Sequence, residues 1–196
     1  MPESKIPIMP DGVAALTELL RTRRTIHEFN GQLPDVSVIE AAVEHARWAP
    51  NHHRTEPWRF YLIERNVGVK IASLNAELVR AKSGEDVAQK KFQRWCAMPG
   101  WLAVTCAKNA DSAREREDFA ACCCAVQNLM LYLWAYGVGM KWGTGKVTRD
   151  VRFLELLGVD PVQEFAVGLF WYGYPAEVPA QSRRPVAEIL RIVADV

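Results

Sequence analysis

The sequence predicts an α+β or α/β sandwich built on one sheet, and three observations carry that expectation. Apolar residues recur at helical spacing through most of the chain, and three or four short aromatic and β-branched runs lie between those stretches. No repeat, low-complexity tract or linker divides the chain. At 196 residues, with 49% hydrophobic and 24% charged residues, it has the length and balance of one globular domain. A net charge of +1 points to neither nucleic acid nor an anionic membrane, so any basic function is local.

Residues 1–11 hold no apolar core long enough for a signal peptide and read as an extended arm. Val13, Leu16, Leu19 and Leu20 place a first helix over 13–23, which ends on Arg21, Arg23 and Arg24. Cations there complement a helix dipole. Yet Arg23-Arg24-Thr25 also packs two guanidinium forks and a hydroxyl into three residues, equipment that suits a phosphate monoester. Pro34-Asp35 opens a second helix, with a stripe of Val38, Ile39, Ala42, Val43 and Ala46, and Pro50 ends it.

The loop from Ala49 to Trp58 is crowded with hydrogen-bonding groups, His52, His53 and Glu56 among them, and feeds a strand over Trp58–Ile63. The four histidines show no zinc spacing, so solvated or loop-capping roles are the plain reading and no metal is expected. Residues 67–95 read as a charged helical pair broken near Ser83-Gly84, either a surface pair or a lid. A strand follows at Trp101–Ala107, and Asp111-Ser112 opens a long helix. Thr148-Arg149-Asp150 caps another helix, which runs through Leu157 and ends at Gly158. Phe165–Tyr174 is a strand with Phe165, Val167, Leu169 and Trp171 on one face and Ala166, Gly168 and Phe170 on the other. A last helical segment is expected from Pro185 to Val193.

Phe119–Gly145 is nearly all apolar up to Gly137, then closes on Trp142-Gly143-Thr144-Gly145. A membrane span needs about 20 apolar residues. This segment instead carries Gln127-Asn128 and follows the charged run Arg114–Asp118, so a buried core helix or subunit interface fits it better. Three consecutive cysteines, Cys122–Cys124, project about 100° apart on a helix and cannot converge on one metal. With no CxxC, a reduced, cytoplasmic protein is expected.

Neither a Rossmann GxGxxG, a P-loop nor a GxSxG elbow is present. A glycine loop can bring backbone amides close to a planar ligand, and Trp142 or Trp58 could wall it. Together with the basic residues at 23–25 and 183–184, this suits flavin mononucleotide, FMN.

Taken together, four segments resemble the FMN-dependent nitroreductase family, most of all its compact bacterial NAD(P)H nitroreductases. They are Arg23-Arg24-Thr25, Ala49-Pro50 through Pro57-Trp58-Arg59-Phe60, Gly137 to Gly145, and Val167 through Pro179 with Arg183-Arg184-Pro185. The resemblance implies one α+β domain, with a mostly antiparallel sheet flanked by helices, in an intertwined homodimer. Two FMN sites would lie at the subunit interface. It maps Arg23, Arg24, Thr25 and Arg183 to the phosphate and ribityl chain, and Trp142, Gly143 and Thr144 to a loop beside the isoalloxazine. It maps His52 and Glu56 to contacts from the neighbouring subunit. The implied chemistry is ping-pong hydride transfer at flavin N5, from NAD(P)H to a nitroaromatic, quinone or similar acceptor, with no catalytic side chain. Dehalogenation, dehydrogenation or plain FMN binding are the alternatives. Glu56 stands where the family commonly has Gln; it would disfavour the reduced, anionic form of the ring, or else turn away, pair with Arg54, or accept from a ring N–H.

Overall fold

The computed structural model describes residues 10–194. In chain order the elements are α1 (Pro10–Thr22), α2 (Val36–Ala46), β1 (Trp58–Ile63), α3 (Arg65–Ser83), α4 (Glu85–Cys96), β2 (Gly100–Ala107), α5 (Ser112–Ala135), β3 (Gly139–Gly143), α6 (Val151–Leu156) and β4 (Glu164–Gly173). Most of the expected arm lies outside the described residues; positions 10 and 11 are already helical. Aspartates open three helices by accepting first-turn amides: Asp35 from Ser37 at 2.8 Å, Asp111 from Ala113 at 2.9 Å and Asp150 from Arg152 at 3.1 Å.

The four strands make one antiparallel sheet in the order β1-β2-β4-β3, leaving β1 and β3 as its edges. Helices cover both faces. On one, Leu102, Val104, Phe170 and Tyr172 pack against Ala42 and Ala46 of α2 and against Ala125 and Leu129 of α5. On the other, Trp101, Ala103, Leu169 and Trp171 meet Ile71 of α3 and Phe153 of α6. A protein with two helical layers and an antiparallel sheet is α+β.

Three local expectations are corrected. The glycine loop is in fact strand β3 up to Gly143, because its backbone pairs with β4 from Gly139↔Gly173 to Gly143↔Leu169. The final helix is absent: beyond Pro185 the described chain makes only a short 3-10 turn, Val186–Glu188, with nothing packed against it to hold a longer helix. The two faces of β4 also differ from strict alternation. Between Val104 and Thr105 of β2 the register slips, so Val104 faces Gly168 while Thr105 faces Ala166, and Val167 is the extra residue of a bulge. Val167 therefore joins Phe170 on the α5 side rather than Leu169 and Trp171.

α5 is long and apolar enough to cross a membrane by length and composition. It nevertheless lies against the sheet, burying Ala121, Cys122, Ala125, Val126, Leu129 and Leu133 along one face. The cysteine run fans out as helical geometry demands, with Cys122 buried, Cys123 half-buried and Cys124 exposed. Hydrogen bonding with Cys106 and burial push the Cys122 thiol up, away from a reactive thiolate.

Candidate functional site

The end of α1 is clamped onto the free edge of β3. Thr25 bridges Met140 in parallel, and the Ile26 amide donates to the Met140 carbonyl at 3.0 Å. Ile26 is fully buried over Gly139, where an added Cβ would fall 3.0 Å from the Ile26 Cβ. Only glycine permits that approach. The indole of Trp134 on α5 donates to the Thr22 hydroxyl at 3.0 Å and fixes the same corner. The following segment then pairs with the tail, Asn30 N–H to Tyr174 O and Ala176 N–H to Glu28 O, both at 3.0 Å. This pairing carries residues 179–183 back beside Arg23 and Arg24.

The result is a polar cavity of about 440 Å³ lined by Leu20, Arg21, Arg23, Arg24, Gln181, Ser182 and Arg183. It holds four arginines and no carboxylate, and none of the four is in an ion pair among the described residues. The two central arginines differ. Arg24 is engaged with the protein, donating to the carbonyls of Arg21 at 2.6 Å, Arg23 at 2.9 Å and Pro179 at 3.2 Å. Arg23 is half-buried, and its Nη1 is fully enclosed with no hydrogen-bond partner. Burial, then Arg183 and Arg24, hold its pKa below the ordinary guanidinium value. A buried, unpaired cation nitrogen beside two further cations is the arrangement an anion completes. Of the residues the sequence analysis named for the phosphate, Arg23, Arg24 and Arg183 line this cavity and Thr25 does not; Arg21 of α1 lines it as well, and the returning tail brings in Gln181 and Ser182.

Beyond the Thr25–Met140 bridge, β3 has no further strand on its outer edge. Trp142 and Gly143 lie in the strand, and Thr144 is exposed just beyond it. The Trp142 indole is turned inward rather than standing as a free wall: it packs on Phe170 at 5.3 Å and donates to the bulge carbonyl of Val167 at 3.2 Å. Trp58 is buried in the α5-side core. The strand therefore offers the site its backbone edge and the Thr144 hydroxyl.

His52 and Glu56 sit elsewhere. Their loop is strained, with His53, Arg54 and Glu56 at φ of 62°, 53° and 45°, each costing on the order of 1 kcal/mol or more. Asn51 braces it, accepting the Glu56 amide at 2.7 Å and donating to Thr55 at 3.0 Å. The Thr55 hydroxyl donates to Asp118, a carboxylate only 3% exposed. Thr55→Val is expected to cost about 1–3 kcal/mol by stranding that carboxylate, and to speed amide exchange over 51–56. Denaturant unfolding and hydrogen exchange check this, and unchanged values would show that the bond does not hold the loop.

His52 is exposed and bonds Glu117 through Nδ1 at 2.9 Å; His52, His53 and Glu117 have ligand atoms within 4.8 Å of one another. The sequence could not show this cluster, because Glu117 is remote in the chain. Glu56 forms no ion pair among the described residues, with Arg54 or any other group. Glu117 and Trp134 mark the distance between that loop and the arginine cavity. At about 1.5 Å per residue, α5 separates them by roughly 25 Å. Within one chain, the loop of His52 and Glu56 does not reach the arginine cavity.

The family model described as "Nitroreductase family" matches residues 20–174, most of the chain. The chain belongs to the nitroreductase family. This nitroreductase-family chain is 31% identical over 175 residues to a Bacillus subtilis protein provisionally named NAD(P)H nitroreductase YfhC, covering 87% of the chain and 90% of that protein. A nitroreductase-like family protein from Bacillus cereus superposes with a TM-score of 0.78 at 26% identity, over 98% of this chain and 100% of that one. A provisionally assigned nitroreductase in complex with FMN from Desulfovibrio desulfuricans gives 0.73 at 22% identity, over 96% and 99%, and shows the shared fold.

Proposed function

We propose that the protein is a cytoplasmic FMN-dependent oxidoreductase that uses NAD(P)H to reduce nitroaromatic, quinone or similar electron-poor acceptors, working as an intertwined homodimer. The observation that carries this reading is the arginine cavity with its buried, unpartnered Arg23 nitrogen, adjoining Thr25, which bridges Met140 of β3. A phosphate monoester fits that donor set in charge and in number of acceptors. Arg23 and Arg183 would hold the phosphate, with Arg24 as the strut that keeps the tail in place. Thr25, beside Met140, would meet the ribityl chain. Along β3, backbone groups not paired with a further strand, together with Thr144, would face the polar edge of the ring. When bound, FMN supplies hydride acceptance and release at N5 in two half-reactions, so no side chain need serve as catalytic acid.

Three features support the dimer. The loop of His52 and Glu56 is too distant to complete the cavity of its own subunit, so it is offered to that of a second one. α1 leaves Val13, Leu16 and Leu20 exposed, and the tail presents Val186, Ile189, Leu190, Ile192 and Val193, the last at 96% exposure. β1 is an open edge beside an apolar groove lined by Val36, Ile39, Val43, Phe60 and Leu62, a place where an extended apolar tail from a second copy can add. A chain with Ile189→Asp and Leu190→Asp is expected to run as a monomer by light scattering and to lose flavin; a fully dimeric variant would remove the tail as the clasp.

Anaerobic absorbance titration of the purified protein with NADH and with NADPH tests the activity. The expected result is a yellow protein whose flavin bands bleach stoichiometrically with at least one donor. A flavin that stays oxidised with both would overturn it.

A further inference from the structure

A second cavity, of about 320 Å³, lies on the α3–α4 side, between those helices and the turn that follows β3. Its lining includes Asn75 of α3, whose side-chain Nδ2 is enclosed and has no hydrogen-bond partner although the residue is only 8% exposed. Buried amide donors are ordinarily paired, and an unpaired one on a residue that lines a cavity calls for an acceptor. Three cations reach the same cavity from separate elements: Lys82 at the end of α3, Lys91 of α4 and Lys146 after β3. None is in an ion pair among the described residues, and no carboxylate lines the cavity.

Lys82 has an ordinary explanation, since it lies in the last turn of α3 and complements the helix dipole. Lys91 and Lys146 are exposed, and Lys146 belongs to the short 3-10 turn Lys146–Arg149. The field of Lys91 is felt nearby: the ammonium of Lys141, over the Trp171 ring at 5.3 Å, is disfavoured by burial and then by Arg94 and Lys91. A single carboxylate is satisfied by one lysine, whereas three lysines and a neutral amide donor around one cavity suit a dianion. Trp95 and Val79 give the cavity an apolar wall for the body that carries the charge.

We propose that this cavity is a phosphomonoester site and that it takes the ribose 2′-phosphate that distinguishes NADPH from NADH. Gly145, which follows Thr144 just beyond β3, lines the cavity. The identity of the ligand rests on the flavoenzyme reading; the phosphate chemistry does not.

The test is calorimetric binding to the FMN-saturated protein, so that the arginine cavity is filled. Adenosine 2′,5′-bisphosphate, adenosine 5′-monophosphate and inorganic phosphate are the probes. The bisphosphate is expected to bind at least tenfold tighter than the monophosphate, and Lys91→Gln and Lys146→Gln should each weaken it about tenfold. In turnover, Lys91→Gln should lower the NADPH-to-NADH ratio of kcat/KM by a similar factor. Equal binding of the two nucleotides, or binding indifferent to both substitutions, overturns the proposal. Inorganic phosphate binding as tightly as the bisphosphate overturns the assignment to a nucleotide. If neither donor reduces the flavin, the oxidoreductase reading fails, and the binding arm still decides whether the cavity is a phosphate site.

Discussion

Arg23→Ala should weaken FMN binding by roughly tenfold to a hundredfold, the worth of a charge-assisted hydrogen bond of about 1.5–3 kcal/mol. The magnitude follows from the burial of Nη1: in the wild type this donor is already desolvated, so the phosphate gains a strong bond without a fresh dehydration cost. The apoprotein should melt no lower, because the substitution removes a cation that Arg183 and Arg24 repel. Arg24→Ala should behave in the opposite sense. It forfeits bonds to Pro179, Arg21 and Arg23 and so should lower stability even without ligand. Fluorescence titration of FMN into apoprotein, with thermal melts at zero and saturating FMN, separates the two. An Arg23→Ala variant that binds FMN as the wild type does would take Arg23 out of the site.

Gly168→Ala is expected to destabilise the fold by about 1–3 kcal/mol, the range for overpacking a filled core, and to lower Tm by several degrees for a chain of this size. An added Cβ would lie 2.5 Å from Cδ1 of Trp142 and closer still to its Nε1. The indole is rigid and wedged on Phe170, so it must leave, and its bond to Val167 O goes with it. Because Trp142 belongs to β3, displacement also disturbs the strand edge beside Thr25, and FMN affinity should fall together with stability. Thermal denaturation and FMN titration of one preparation check both; a variant with wild-type Tm would show that the bulge has room the geometry denies.

Much of this was legible beforehand where local chemistry rules. Trp58–Ile63 is the strand its aromatic and branched residues predict, and Asp35 and Asp111 cap the helices they were expected to open. The helical pair broken at Ser83-Gly84 is α3 and α4, with Gly84 at φ 83° between them. Elements that depend on a partner were misread. Gly139–Gly143 looks like a loop because glycine disfavours strands, yet β4 supplies a ladder that overrides propensity. Pro185–Val193 looks helical because its apolar residues recur at the right spacing, but no surface of the same chain receives them. Trp142 was read as a wall for a ligand, since sequence gives no sign of the bulge whose carbonyl its indole meets.

By itself, then, the sequence determined the order of elements, the α+β class, and the residue types at the basic corner, because those depend on periodicity, capping and charge within a few residues. Tertiary structure alone decided which groups converge. It set Arg183 beside Arg23 through the pairing of residues 28–30 with 174–176, and it turned Arg24 into a strut while leaving an Arg23 nitrogen without a partner. It also placed His52 far along α5 from the arginines and gathered Asn75, Lys91 and Lys146 around one cavity. Such convergence is a property of long-range contacts between segments remote in the chain, and no local pattern encodes it.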